Sequence, residues 1–280
     1  GFDSFELHRS QYFEKVKDLS YIERMIRFGN KVQDSKNSNQ VDMFGDTADE
    51  SLQAPIVSDN NRWNTMELLS KEKEVVGIYI SGHPLDDYKF EIGNFCNTEL
   101  SLLKNLYPLL GKELRFSGIV TQVEHKETKN GKKYGVLYLE DYRDNFRFFI
   151  FGNDYVRLKA YFNESWLLFI KGKVEKRPYN DEQVEFRIKK IELLSELTDK
   201  EDLDIVIELS LDDITDELID QILSVTEKNK GKHSLILQIN NHDDKYGLEL
   251  LSRKKKLDIS KDLVDEIKKI SGLELKVSYN

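Results

Sequence analysis

The sequence predicts a multidomain α+β protein with a helical N-terminal region, a five-stranded β-barrel and a small βαββαβ domain at the C-terminus. Changes in hydrophobic period carry this prediction. Up to about residue 110, apolar residues recur every three or four positions, which is typical of amphipathic helices. From Leu114 they alternate, which is typical of strands, and after residue 200 strand-like and helix-like segments follow one another.

The N-terminal region predicts two helices with a polar tract between them. Apolar spacing predicts the first helix over residues 5–28, ending at Gly29-Asn30, and the second over residues 63–79. Residues 33–61 are rich in Asn, Ser, Asp and Gln, so they predict a linker or a long surface loop. Ser81-Gly82-His83-Pro84 then ends helical structure, because proline cannot continue a helix.

Five strands are predicted in the middle third of the chain. Residues 114–141 contain two alternating runs around Asn130-Gly131, a dipeptide that favours a tight hairpin turn. Three more strands and one short helix follow, with the helix between the third and fourth strands, which is the order of the OB-fold barrel. These strands are predicted over residues 145–151, 166–173 and 184–194, and the helix over residues 154–162.

The last third of the chain predicts the order βαββαβ, which is compatible with a small split βαβ sandwich. Its helix near residue 216 carries many carboxylates, which repel phosphate and favour a protein partner. The basic run at residues 253–256 predicts a solvated turn. The elements are strands over residues 204–210, 233–240, 246–252 and 273–279, and helices over residues 213–228 and 260–271.

Charge is distributed unevenly along the chain, whose net charge is -9. Residues 111–197 hold 17 Lys and Arg against 14 Asp and Glu, a net of +3, whereas the segments on either side each carry -6. A locally basic module can bind nucleic acid even in an acidic chain. The predicted domains are a helical region over 1–33, a flexible linker over 34–61, a helical connection over 62–110, the OB-fold domain over 111–197 and the α/β domain over 198–280.

The barrel segment interleaves cationic and aromatic side chains, the combination with which OB folds hold phosphates and stack bases of single strands. On the strand at 145–151, the side that carries Arg147 is expected to face solvent, and the side that carries Phe148 to fill the barrel. In the alternative reading, Phe149 and Phe151 pack beneath loops and the lysines only add solubility. The predicted DNA-binding residues are Arg115, Lys126, Lys129, Lys132, Lys133, Tyr134, Tyr138, Arg147, Phe149, Phe151, Lys171, Lys173, Lys176 and Arg177.

No catalytic or metal-binding constellation is found in the sequence. None of the five histidines has a second histidine or a cysteine at the spacing of a helix turn, and no nucleophile motif occurs. Cys96 is the only cysteine, so a reducing, cytoplasmic location is expected. No apolar run approaches the roughly 20 residues of a membrane helix, so no membrane contact is expected. The N-terminus, without a leader or an initiator Met, is interpreted as that of a fragment.

Two segments carry a resemblance to a known family. KEKEVVGIYISGHPLDDY (residues 71–88) resembles the segment before the OB domain of the bacterial replicative DNA polymerase III alpha subunit, and GFDSFELHR (residues 1–9) resembles the end of that family's fingers region. The OB-like and C-terminal domains follow in the family's order. The resemblance implies part of a DNA-directed DNA polymerase, a nucleotidyltransferase, whose metal-binding palm lies upstream. It therefore implies no catalytic residue or cofactor in this chain, and Mg²⁺ for the full-length polymerase.

A short motif in the polar tract adds to the resemblance. Gln40, Val41, Asp42, Met43 and Phe44 resemble the family's internal sliding-clamp-binding peptide, in which a Gln precedes an apolar pair; the commoner family form has Leu in place of Val41 and Met43. A Gln amide can both donate and accept hydrogen bonds, and Met adapts its shape to an apolar cleft. The alternative is that Met43 and Phe44 pack on the neighbouring helices.

The resemblance implies a tethering function. The chain would hold the polymerase to single-stranded template DNA, to the sliding clamp and, through its C-terminal domain, to the tau subunit of the clamp loader. Two alternatives remain open: a free-standing OB-fold protein for single-strand binding or repair, and an anticodon-binding module similar to those of aminoacyl-tRNA synthetases.

Overall fold

The computed structural model describes residues 2–37, 53–57, 62–177, 180–199, 203–241 and 247–279. The chain divides into two compact units, Gly1–His83 and Pro84–Asn280. The first unit is mainly helical, and the second contains a five-stranded and a four-stranded sheet.

The first unit begins with two helices where the sequence predicts one. Helix α1 (Arg9–Phe13) and helix α2 (Tyr21–Asn37) are separated by the short strands β1 (Lys15–Val16) and β2 (Leu19–Ser20). The prediction of a continuous helix over residues 5–28 is therefore wrong. The turn between β1 and β2 places two residues, Lys17 and Asp18, in the left-handed region with φ of 51° and 65°, which no α-helix allows.

A capping box decides where α2 begins. The backbone N–H of Glu23 donates to Ser20 Oγ at 3.3 Å, and the Ser20 N–H donates to Glu23 Oε2 at 2.7 Å. The Ser-x-x-Glu spacing is a helix-start signal that the apolar periodicity alone overlooks. α2 also continues through Gly29, because a single glycine costs a helix only about 1 kcal/mol.

Helix α3 (Thr65–Val76) holds the turn that follows it through Glu72. The buried Glu72 carboxylate accepts hydrogen bonds from the N–H groups of Ile80 at 3.0 Å and Ser81 at 2.9 Å and from the Ser81 hydroxyl, and it pairs with Arg9 at 2.5 Å. Burial by itself would raise the pKa of Glu72, but these hydrogen bonds lower it to about 2. Glu72 therefore remains ionised and fixes the Ser81-Gly82-His83 turn.

The second unit starts with helix α4 (Lys89–Phe95) and continues into the barrel. Strands β3 (Glu113–Glu127), β4 (Lys133–Glu140), β5 (Asn145–Phe151), β6 (Leu167–Arg177) and β7 (Asn180–Leu193) form an antiparallel sheet of order β5-β4-β3-β6-β7, with helix α5 (Gly152–Leu158) between β5 and β6. The OB-type order predicted from the sequence is confirmed. β5 and β7 are the edges of this sheet in the described residues, so the barrel is partly open.

The hairpin between β3 and β4 and the barrel core also follow the sequence. Gly131 has a φ of 73°, and its N–H donates to the Thr128 carbonyl at 2.9 Å, which closes the predicted Asn130-Gly131 turn. Inside the barrel, the rings of Phe116 and Phe148 stack with centroids 5.8 Å apart.

The α4 segment packs against both the barrel and the C-terminal domain. Phe95 shares a buried apolar cluster with Phe169 of β6 and with Leu203 of the C-terminal domain. Asn94 Oδ1 accepts a hydrogen bond from the Val277 N–H at 2.9 Å. Residues just after Pro84 therefore join the two sheets of this unit.

The C-terminal domain has the predicted βαββαβ order. Its elements are β8 (Leu203–Ser210), α6 (Asp216–Lys228), β9 (Lys230–Asn240), β10 (Gly247–Leu257), α7 (Lys261–Lys269) and β11 (Leu273–Tyr279). The sheet order is β10-β9-β8-β11, and β8 and β9 pair directly and in parallel. The prediction of a split βαβ arrangement is therefore wrong.

β10 lies at the sheet edge rather than between β8 and β9, and its side chains have the exposure of an edge strand. A central strand must bury at least one face, but Leu257 is the only buried residue of β10. The basic run at residues 253–256 lies in this strand. The prediction of a solvated turn there is therefore wrong. Residues 252–255 form a bulge, since Leu251 pairs with Ile236 and Lys256 with Ser234.

Candidate nucleic-acid interface

The outer surface of β3, β4 and β5 carries a compact group of aromatic and charged side chains, which we call the aromatic face. Residues that are directly paired across strands point to the same side of a sheet. The aromatic face therefore has three cross-strand rows: Gln122, Tyr138 and Arg147; Glu124, Val136 and Phe149; and Lys126, Tyr134 and Phe151.

Two of the four rings of the aromatic face, Phe149 and Phe151, are exposed, and Tyr134 and Tyr138 are half-buried. Phe149 and Phe151 are 51% and 54% exposed, whereas Phe148 and Ile150 on the inner side are 6% and 4% exposed. The Arg147 guanidinium lies 5.5 Å from the centroid of the Phe149 ring. The prediction that the Arg147 side of β5 faces solvent is confirmed, and the alternative that both rings pack beneath loops is wrong.

Glu124 is a member of the aromatic face that sequence reasoning missed. Its Oε2 lies 2.5 Å from Lys126 Nζ, and its Oε1 accepts a hydrogen bond of 3.4 Å from the Tyr138 hydroxyl. Hydrogen bonding to Lys126 lowers the pKa of Glu124, and Glu124 in turn raises the pKa of Lys126. The two groups are therefore both ionised. The strand period of two, which places Glu124 on the same side as Lys126, was the available signal.

The β3–β4 hairpin places three lysines next to the aromatic face. Lys129 and Lys132 lie in the turn, and Lys133 begins β4 on the side opposite to Tyr134, paired with Glu127. All three lysines are exposed. These side chains can reach phosphates of a strand whose bases lie on the aromatic face.

A cleft of about 400 Å³ runs along the open seam between β5 and β7. Phe149 and Phe151 line it on one side, and Arg177 and Arg187 on the other. Arg177 also pairs with Glu185, with Nε 3.3 Å from Oε2. The cleft therefore brings Arg177, from the end of β6, next to the aromatic face.

Three other predicted residues, Arg115, Lys171 and Lys173, lie on a different part of the barrel. Arg115 pairs with Lys171, and Glu113 with Lys173, in the ladder between β3 and β6. Lys171 Nζ lies 2.9 Å from Glu113 Oε1, and the Arg115 side chain is half-buried. Lys176 is exposed near the end of β6. The structure thus groups Lys126, Tyr134, Tyr138, Arg147, Phe149, Phe151 and the hairpin lysines, and separates Arg115, Lys171 and Lys173 from them.

The predicted clamp-binding residues Gln40, Val41, Asp42, Met43 and Phe44 lie outside the described residues. Their function stays a prediction from the sequence.

The C-terminal domain exposes a group of apolar side chains that we call the apolar strip. It consists of Ile219 and Leu223 on α6 and Leu248 and Leu250 on β10, which are 43–55% exposed. Leu250 pairs with Leu237, which packs in the core under the helices, so Leu250 points to the α6 side of the sheet. α6 contacts β10, and exposed apolar groups of this kind are typical of protein contact sites.

Comparison with protein families connects both domains to known proteins. Residues 114–194 match the family described as OB-fold nucleic acid binding domain. Residues 205–278 match the family described as DNA polymerase III alpha subunit, C-terminal domain. The chain resembles the C-terminal region of the DNA polymerase III alpha subunit. The resemblance noted in the sequence is thereby confirmed.

Curated bacterial relatives support the same family. The DNA polymerase III subunit alpha of Borreliella burgdorferi is 28% identical over 176 residues, covering 62% of this chain and 15% of that protein. The DNA polymerase III subunit alpha of Aquifex aeolicus is 27% identical over 216 residues, covering 73% of this chain and 17% of that protein. The chain therefore spans less than a fifth of the length of these polymerase subunits.

Solved structures align with this chain only at low TM-scores. A mitochondrial single-stranded DNA binding protein of S. cerevisiae aligns at 14% identity and a TM-score of 0.23, over 30% of this chain and 94% of that protein. Within the described residues, no helix has the length and apolar character needed to cross a membrane.

Proposed function

We propose that this chain is the C-terminal portion of a replicative, cytoplasmic DNA polymerase III alpha subunit, and that it tethers the polymerase to single-stranded template DNA, the sliding clamp and the clamp loader. The aromatic face carries the proposal. It lies on an OB-fold domain that precedes a domain matching the C-terminal domain of this polymerase family.

The exposed rings favour single-stranded DNA over a duplex. Bases of a single strand can stack on the Tyr134–Phe151 pair and on Phe149, and each stacked base contributes about 1–3 kcal/mol. In a duplex, the faces of the bases are already stacked on one another. The hairpin lysines and Arg177 then hold the phosphates, and this contribution falls with added salt.

The other two contacts are to proteins. The apolar strip of the C-terminal domain supports a contact with the tau subunit of the clamp loader, because the domain carries a net charge of -6 and repels phosphate. Gln40, Met43 and Phe44 are proposed to bind the clamp through their resemblance to the family's clamp-binding peptide.

Binding of labelled oligonucleotides tests the DNA contact. The chain is titrated with a thymidine oligonucleotide of about 16 nucleotides, the longest site of a single OB fold, and with a duplex of equal length. Fluorescence anisotropy at low salt should show tighter binding of the single strand. Equal or tighter binding of the duplex, or no binding of the single strand, would contradict the proposed function of the aromatic face.

A further inference from the structure

A carboxylate lies in the middle row of the aromatic face, at its β3 end. Glu124 occupies the middle row, between the row of Tyr138 and Arg147 and the row of Lys126 and Tyr134. A negative charge repels the phosphates that a nucleic-acid-binding surface attracts. Its position therefore calls for a physical explanation.

The contacts of Glu124 show which cation it pairs with. Of the nine residues of the aromatic face, all of them described, three are charged: Glu124, Lys126 and Arg147. Glu124 Oε2 lies 2.5 Å from Lys126 Nζ, so the charge of Lys126 is compensated. Arg147 lies over the Phe149 ring and is the remaining cation of the face.

We infer that Glu124 holds Lys126 away from phosphate and thereby limits the affinity and the salt dependence with which the aromatic face binds a single strand. This inference rests on the proposed DNA contact. A strand on such a face is held mainly by stacking on Tyr134, Phe149 and Phe151. Its phosphates are left to Arg147, to Arg177 and to the hairpin lysines at the edge. Such a strand dissociates and rebinds more readily than one whose backbone is held by a further cation.

The variant Glu124→Gln tests the inference, because it removes the charge and keeps an acceptor for the Tyr138 hydroxyl. Lys126 then becomes available to one additional phosphate. Affinity for a thymidine oligonucleotide should rise about two- to fivefold, the range of an exposed ion pair. The plot of log affinity against log salt should steepen by about 0.7, the value for one further phosphate contact with a single strand.

Two further variants make the test specific. Glu113→Gln frees Lys171 from a similar ion pair of 2.9 Å off the aromatic face, so it should change neither affinity nor slope. In the double variant Glu124→Gln with Lys126→Ala, the gain should disappear, because the freed lysine is absent. If Glu124→Gln melts lower than the unmodified chain, Glu124→Thr repeats the measurement with a residue that favours strands.

Each outcome decides between the two claims. If Glu124→Gln binds no tighter than Glu113→Gln, or if its gain survives Lys126→Ala, the inference about Glu124 is wrong while the DNA contact stands. If neither the unmodified chain nor Glu124→Gln binds the oligonucleotide at low salt, the proposed DNA contact itself is wrong, and the inference fails with it.

Discussion

The rings of Tyr134 and Phe151 stack across β4 and β5, with centroids 4.9 Å apart and planes inclined by 22°. The two residues are directly paired in the sheet, so their backbone positions set the distance between the rings. Phe151 remains half-exposed in this pair. The pair therefore presents a preformed ring surface on which an unpaired base can stack.

Removal of this ring surface should weaken binding of single-stranded DNA. Phe151→Ala is expected to weaken the free energy of binding by about 1–3 kcal/mol, the contribution of one stacked base. Tyr107→Ala is the matched control, because Tyr107 is an exposed aromatic residue outside the aromatic face. Anisotropy titrations compare the two variants at one salt concentration, and equal losses in both would place the strand elsewhere.

The two groups of cations should differ in their effect on salt dependence. Joint replacement of Lys132, Lys133 and Arg147 by Ala should flatten the slope of log affinity against log salt by about 0.7 for each phosphate that the variant no longer binds. Joint replacement of Lys171 and Lys173 should leave the slope unchanged, because both lie on the β3–β6 ladder. A similar flattening in both variants would show that the strand also crosses β6.

Clamp binding by the proposed peptide should depend on its apolar pair, Met43 and Phe44. Burying Met43 and Phe44 in a cleft contributes about 1.5–3 kcal/mol each, so Met43→Ala with Phe44→Ala should abolish binding to the cognate clamp in calorimetry. If the pair binds the clamp and lies outside any folded core, the melting temperature should change by no more than about 2 °C. A much lower melting temperature with clamp binding intact would mean that the pair belongs to a folded core.

The apolar strip should carry the contact with the clamp loader. Leu223→Lys with Leu250→Lys places two charges on the strip, and burial of an unpaired charge in an interface is strongly unfavourable. Binding to the cognate tau subunit, measured by surface plasmon resonance, should be lost, while oligonucleotide binding persists. Leu211→Lys, an exposed leucine outside the strip, is the control. Unchanged tau binding in the double variant would exclude the strip as the contact.

Glu72 should stabilise the first unit in a pH-dependent way. Glu72→Gln disrupts a buried acceptor of several hydrogen bonds and should reduce the free energy of unfolding by about 1–3 kcal/mol at pH 7. Because the pKa of Glu72 is lowered from 4.5 to about 2, its contribution is complete above pH 4.5 and is lost as pH falls towards 2. The difference between the two chains should therefore shrink over this range.

Urea unfolding measures this difference through Trp63, which lies in the first unit, in a Trp166→Phe background that silences the other tryptophan. A difference that stays constant from pH 7 to pH 2 would mean that the charge of Glu72 contributes nothing to stability.

The sequence by itself determined where the barrel strands lie along the chain and which side of β5 faces solvent. Arg147, the one charged residue over 145–151, indicated which side of β5 faces solvent, because side chains of a strand alternate with a period of two. Asn130-Gly131 located the hairpin, since its glycine adopts a positive φ that other residues avoid. Ser20 and Glu23 have the spacing of a capping box, so the sequence also contained the signal for a helix start inside the first predicted helix.

Apart from the β3–β4 hairpin, only the tertiary structure decided which strands became neighbours. Composition placed Arg115, Lys171 and the hairpin lysines in one basic segment, but strand pairing put Arg115 beside Lys171 and brought Arg177 to the seam with Phe149. Likewise, the βαββαβ order was readable from hydrophobic periods, whereas the direct pairing of β8 with β9 was not. The hydrophobic period shows which side chains of one strand share a face. Strand order instead depends on how the faces of all the strands are buried together.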